Sequence, residues 1–188
     1  METLWNDTKK KTTRYKEQNP EKVEAYLKEI EDILPEKIAY VDETGIDTCL
    51  YRKYAYALRG ETVTERIPGK KFQRTNLVAA QLNGEIIAPM QYNRTTDAPL
   101  FEYWFKQWLL PCLSKDAVII MDNASFHRKG ELFKIAAQYH RKLIFLPPYS
   151  PELNPIEHFW AKLKQWLKLH IKEFIPLDDA ISAFFSFY

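Results

Sequence analysis

Four carboxylates stand where chemistry is usually done. Asp42 and Glu43 close the apolar run IAYVDE (38–43), and Asp122 closes AVIIMD (117–122). Strand ends hold side chains rigidly at the boundary of core and solvent, which is where sites of open α/β sheets collect. A turn or helix-capping role accounts for a single aspartate of this kind. Two in one small chain weigh equally toward a site. Glu157 has a structural explanation of its own: Asn154 as N-cap, Pro155 at N1 and Glu157 at N3 form a capping-box variant. The helical wheel adds something the cap does not require. At 100° per residue, Phe159, Trp160, Leu163, Trp166, Leu167 and Ile171 fill one arc, Glu157 borders it, and Lys164 and Lys168 follow Glu157 in a stripe. That stripe reads either as a solvated face or as a contact for phosphate.

Three carboxylates brought together repel one another unless cations neutralise them. Hard oxygen donors suit Mg²⁺ or Mn²⁺, which bind through a few carboxylates plus substrate phosphate oxygens. Two such ions about 3.5–4 Å apart stabilise both the attacking and the leaving oxygen of a phosphodiester. Outside the carboxylates, Arg66, Lys70, Lys71 and Arg74 lie in a stretch (66–84) with no acidic residue. If all four touch phosphate, the log-log salt slope is about −3.6, roughly a hundredfold loss of DNA affinity from about 50 to about 200 mM salt. The competing reading is an ordinary solvated loop. Arg128, Lys129, Arg141 and Lys142 are weaker candidates for the same role. His127, five positions beyond Asp122, either assists the site or is a polar residue at a helix start. The four histidines are too scattered to suggest zinc, and no phosphate loop, dinucleotide fingerprint, nucleophile elbow or CxxC set occurs.

The elements that must position these groups follow from periodicity. Asn19 and Pro20 open a helix carrying Val23, Tyr26, Leu27, Ile30 and Ile33, which Pro35 stops. Strand-like runs then follow at 38–43, 75–82, 85–92, 117–122 and 142–146, with Asn83-Gly84 as a hairpin turn. LFEYWFKQWLLPCL (100–113) reads as a buried helix, and further helices are expected near 128–140, 155–171 and 177–186. A hairpin meander followed by alternating helices and strands indicates an α/β fold with a mixed five-stranded sheet flanked by helices. The domain expectation is a basic leader and linker helix over 1–36 and one catalytic unit over 37–188.

Composition is consistent with this and narrows the partners. The 188 residues carry 27 basic and 25 acidic groups, so the total charge of +2 points to no partner. Residues 37–150 alone hold 16 basic against 11 acidic, which places the positive excess around the carboxylates. At 46% hydrophobic the chain is far too apolar to be disordered. Cys49 and Cys112 cannot make a disulfide framework, and there is neither a signal-like leader nor a run of about 18 apolar residues. The expectation is a cytoplasmic protein with no membrane partner.

VDETG (41–45), MDNASFH (121–127) and LPPYSPELNPIEHFWAKLK (146–164), in that order, resemble the catalytic domain of mariner-type DDE transposases, and most nearly the bacterial branch called insertion-sequence family 630. The 34 residues between Asp122 and Glu157 match the interval between the second and third acids of that superfamily. The resemblance covers about residues 37–175, and residues 9–36 resemble the linker that follows the DNA-binding region in such proteins. It implies a ribonuclease-H-like fold in which Asp42 ends the first strand, Asp122 ends the fourth, and Glu157 projects from a helix. It implies two Mg²⁺ or Mn²⁺ ions, held by Asp42, Asp122 and Glu157 as catalytic metal ligands, with Glu43, Asn123 and His127 as supporting residues. It also implies transposon-end and target DNA as partners, a homodimer in the active complex, no small-molecule cofactor, and a place beside the bacterial nucleoid. The helix-turn-helix modules that precede the catalytic domain in full-length relatives have no counterpart in these residues. A non-catalytic DNA-binding or inhibitory subunit, or another ribonuclease-H-like nuclease, are the alternative functions.

Overall fold

The structure is a computed structural model describing residues 15–47, 56–64, 74–174 and 176–187. Five strands form one sheet in the order β3-β2-β1-β4-β5. β1 (Ile38–Asp47), β2 (Arg74–Leu82) and β3 (Glu85–Tyr92) make an antiparallel meander, and β4 (Val118–Met121) and β5 (Lys142–Phe145) add in parallel to the other side of β1. The β2–β3 turn is Asn83-Gly84, both with positive φ (50° and 84°), as a tight hairpin requires. The mixed five-stranded α/β architecture is the one expected, and the strand bounds agree within a residue or two except for β1.

Asp42 does not end β1. The strand continues to Asp47 because its outer half stays paired with β2 as far as Asp47↔Arg74. Pairing with β4, by contrast, stops at Val41↔Met121. Asp42 therefore sits mid-strand on one side and at an open fork on the other, and Asp122 follows directly where β4 leaves the sheet.

Side chains alternate across β1, and each face has its own cover. On one face Ile46, Leu77 and Ala79 pack beneath α5 (Ile156–His170) and α6 (Leu177–Phe187), through Phe159, Trp160, Leu163, Leu167 and Ile181. On the same face nearer β5, Ile38, Val118, Ile120 and Ile144 are covered by Tyr26 of α1 (Pro20–Ile30). Asn19 caps α1 as expected, its Oδ1 accepting from the amides of Glu21 and Lys22. Ala39, Val41, Ile119 and Met121 point the other way. They meet α2 (Ala98–Trp104), a π-helical turn (Phe105–Leu109), α3 (Leu110–Cys112) and α4 (Lys129–Gln138). The expected single helix over 100–113 thus contains a wide turn. There the amide of Leu110 reaches back to Phe105 O, just before Pro111, which has no amide to give. Among the described residues no helix is long and apolar enough to cross a membrane.

Candidate active site

The fork between β1 and β4 opens into a cleft of about 630 Å³ lined by Asp42, Asp122, Asn123, Asn154, Glu157 and the proline-rich loop 146–151, with Tyr15 at its rim. Three separate elements bring the three expected acids to this one space. Asp42 is fixed in the sheet, 8% exposed, and its Oδ2 accepts from Trp160 Nε1 at 3.0 Å. Burial, with the nearby Glu157 and Asp122 carboxylates adding to it, raises its pKa to about 7 against the pull of the Glu43 amide and the Trp160 donor. Asp122 is also pushed up by burial, yet its pKa lies below the usual aspartate value because His127, the Ala124 amide and Lys129 favour the anion. Its Oδ1 accepts from Ala124 N at 3.0 Å.

Glu157 lies in the first turn of α5 and is exposed. The capping-box explanation for it fails. α5 has no side-chain cap, and Pro155 rather than Asn154 occupies the N-cap position. Asn154 is buried and turned away, donating from Nδ2 to Val41 O at 3.3 Å across the fork. The reason is competition: a buried amide beside the last β4-paired carbonyl of β1 satisfies that carbonyl, so the helix start keeps its backbone bonds, from Glu157 N to Asn154 O and from His158 N to Pro155 O. Glu157 is left to face the cleft.

Glu43 points to the opposite face of β1, toward α2 and α4. Burial raises its pKa well above the ordinary value, and Asp42 and Asp122 add to the shift. Opposite it is His127, whose side chain is 1% exposed and packs at a tilt against Phe101 and Phe126, each at 4.3 Å between centroids. Its Nε2 is 3.3 Å from Asp122 Oδ1 and 3.8 Å from Glu43 Oε1. His127 is thus a buried partner of the acids, directly before the Arg128 N-cap of α4. Ligand atoms of Glu43, Asp122 and His127 all lie within 4.8 Å of one another. Asn123 lines the cleft and is held between Leu146 O and Lys129 Nζ.

The basic candidates separate. Arg66, Lys70 and Lys71 lie outside the described residues. Arg74 opens β2 and lines a second, polar depression of about 520 Å³ with Asn76, Asn93, Arg94, Thr95, Thr96 and Phe126. Lys164 is half-buried and Lys168 exposed on α5, and neither lines the cleft. Arg128 is tied to Glu102 at 2.7 Å, Arg141 to the carbonyls of Leu113 and Tyr139, and Lys142 to Glu29 at 3.0 Å, so these three serve the fold.

Several residues that support the cleft carry no clear signal in the sequence. Trp160 was visible only as part of a buried arc, because periodicity reports burial and not the direction of an indole N–H. Gln18 donates to Ser150 Oγ at 2.8 Å and to Glu152 Oε1 at 2.5 Å, and Tyr15 lies 6.2 Å from Tyr149, so the segment before α1 braces the proline-rich loop. No local pattern signals contacts across so long a separation.

The chain's relatives point the same way. The model of the family described as DDE superfamily endonuclease matches residues 37–178. An uncharacterized protein of Sinorhizobium fredii is 39% identical over 67 residues, 35% of this chain and 46% of that protein. The Tc1 transposase of Caenorhabditis elegans is 32% identical over 68 residues, 36% of this chain and 25% of its own length. The chain thus matches less than half the length of either. Among solved structures, the Mos1 transposase paired-end complex with left transposon end superposes with a TM-score of 0.63 at 17% identity, over 87% of this chain and 54% of that one. The mariner Mos1 paired end complex with Mg gives 0.61 at 18%, over 93% and 61%. The HTLV-2 integrase catalytic core domain in complex with magnesium gives 0.50 at 19%, over 80% and 83%. At these identities the likeness is one of fold, the ribonuclease-H-like sheet and its flanking helices.

Proposed function

This chain belongs to the DDE superfamily of endonucleases, and from that premise we propose that it is a transposase catalytic domain of the mariner type, in its insertion-sequence 630 branch, cutting the ends of a mobile DNA element and joining them to target DNA. The observation that carries this reading is the convergence of Asp42, Asp122 and Glu157 on one cleft, where mutual repulsion and burial hold Asp42 near pKa 7. Such a set is uncomfortable as three bare anions and suited to divalent cations with oxygen preference, Mg²⁺ or Mn²⁺. Asp42, Asp122 and Glu157 would hold the two ions between them.

The residues have distinct tasks. Trp160 fixes one oxygen of Asp42, which leaves the other for a cation, and the Ala124 amide orients Asp122 in the same way. Asn154 ties the first turn of α5 to the floor of the fork, so Glu157 is set against Asp42 by a bond to the backbone beside it. The divalent ions, when bound, supply charge for in-line attack at phosphorus and favour the deprotonated nucleophile. In the cutting step water oxygen bonds to phosphorus and the 3′-oxygen leaves as a hydroxyl. In the joining step that hydroxyl attacks a target phosphodiester, and a target 3′-oxygen leaves. Arg66, Lys70, Lys71, Arg74, Lys164 and Lys168 contact phosphates outside the cleft, and two copies of the chain act on the paired ends.

The test is nicking and strand transfer on DNA carrying the element's ends, with Mg²⁺ or Mn²⁺. Activity in the wild type, lost in Asp122→Asn, Asp42→Asn and Glu157→Gln alike, is the expected result. Wild-type activity retained in any of the three overturns the assignment. Metal-dependent cleavage of RNA or branched DNA without end joining would make the chain a different ribonuclease-H-like nuclease.

A further inference from the structure

Behind the cleft, on the α2 and α4 side of β1, two buried polar atoms face each other without a hydrogen bond among the described residues: Glu43 Oε1 and His127 Nε2. They are 3.8 Å apart, and Nε2 is 3.3 Å from Asp122 Oδ1. A direct hydrogen bond needs about 2.7–3.2 Å with good alignment, and leaving a buried donor or acceptor unpaired costs about 1–3 kcal/mol. Nε2 and Asp122 Oδ1, at 3.3 Å, stand at the spacing of two donors on a single cation, and Glu43 Oε1, at 3.8 Å from Nε2, lies just beyond it. Ligands about 2.0–2.2 Å from a metal in tetrahedral or octahedral array stand roughly 3.0–3.6 Å from their neighbours.

We propose that Glu43 Oε1, Asp122 Oδ1 and His127 Nε2 form an additional site for a divalent transition-metal ion of the Mn²⁺ or Zn²⁺ type, separate from the Asp42–Glu157 side of the cleft and joined to it through Asp122. The donor set explains the metal class. One imidazole with two carboxylates favours Mn²⁺ or Zn²⁺ over Mg²⁺, whose sites are built of oxygen. Phe101 and Phe126 clamp the His127 ring, so the nitrogen donor is held in place before any ion arrives. Asp122, whose side chain is 46% exposed, provides the way in from the cleft, whereas Glu43 and His127 are 14% and 1% exposed. Oδ1 of Asp122 already accepts one bond from the Ala124 amide and has a second lone pair to give. The ligand atoms all lie within 4.8 Å of one another, so binding an ion would draw them closer together. Occupancy would hold Asp122 from behind, and so tune how it serves the cleft. The site depends on the transposase reading only in sharing Asp122.

Mn²⁺ is the probe, followed by pulsed electron paramagnetic resonance on the full chain. The double variant Asp42→Asn with Glu157→Gln removes two of the cleft's three carboxylates and leaves this cluster whole. It is expected to keep one Mn²⁺ with a ¹⁴N imidazole coupling, which a tenfold excess of Mg²⁺ leaves in place. His127→Gln, which preserves most of the ring's volume, is expected to lose the coupling and weaken that ion at least about tenfold. Folded double variant, shown by near-ultraviolet circular dichroism, that binds no Mn²⁺ or binds it without nitrogen coupling overturns the proposal. Should the double variant not fold, the wild type decides: nitrogen coupling sensitive to His127→Gln supports the site, and its absence removes it. An inactive wild type that still shows the coupling refutes the transposase reading and leaves this one standing.

Discussion

Asp42 and Glu43 are neighbours on one strand, and their surroundings could hardly differ more. Asp42 faces α5, where an indole N–H, a second acid from α5 and a third from the end of β4 share an open cleft. Glu43 faces α2 and α4, where a histidine locked between two phenylalanines is the nearest polar group. Burial raises both pKa values, so the strand carries two reluctant anions in opposite directions. The difference lies in what relieves them. On one side relief comes from a hydrogen bond and from the solvent space where cations and phosphate can enter; on the other it requires something small enough to fit between fixed side chains. Pleating alone turns one dipeptide into two environments.

The comparison breaks most visibly under pH. Without metal, the Asp42 carboxyl takes up protons in the fold up to about pH 7, against 3.8 for the free residue. Its contribution to stability is fully present below about pH 4 and is lost as pH rises through 7. At about 1.36 kcal/mol per unit this is on the order of 4 kcal/mol. Thermal melts of metal-free protein should therefore fall from pH 4 to pH 8, Asp42→Asn should remove Asp42's share of that slope and leave Glu43's, and saturating Mg²⁺ should restore stability at the alkaline end. A slope unchanged by Asp42→Asn would place the titration on Glu43 instead.

Asp122 belongs to both sides. Asp122→Asn should lower metal-dependent cleavage at least about 100-fold, the upper end of what even outer partners of a metal cost, and should weaken Mn²⁺ on both faces. Glu157→Gln should affect the cleft alone. Titration of each variant with Mn²⁺ separates the two patterns. Trp160→Phe is next in size. It removes the donor to Asp42 while keeping an aromatic in the core, and should destabilise the metal-free protein by about 1.5–3 kcal/mol above pH 7 and by less at pH 4, where the carboxyl is neutral. Urea unfolding at the two pH values measures it. Gln18→Ala should cost about 0.5–1.5 kcal/mol, read by the same unfolding curves, and should change cleavage less than any cleft variant.

Much of this was legible in the sequence because the strands are short apolar runs bounded by turn residues, and the helices have clean stripes. The Asn83-Gly84 hairpin and the Asn19-Pro20 start of α1 are local chemistry, and local chemistry reads well. Asp42, Asp122 and Glu157 reach one cleft because each is fixed to an element whose pattern is strong. What did not read was the extra length of β1, which depends on how far β2 stays paired and not on β1 itself. The capping box at Asn154 misread a residue whose best partner, Val41 O, lies 113 positions away. For His127 the sequence left a site role and a helix-start role both open, because nothing in its own segment reports Phe101 or Glu43.

The bond from Trp160 to Asp42 spans 118 positions of chain, and this has a consequence for assembly. Contacts of such long sequence separation form late, because loop closure must be met before they contribute. The meander carrying Asp42 is local and can form early, whereas Glu157 and the indole that steadies Asp42 come in only when α5 docks over Ile46, Leu77 and Ala79. A nascent chain still lacking α5 has both aspartates but not Glu157. Completion of the reactive cleft is thereby tied to near-completion of folding.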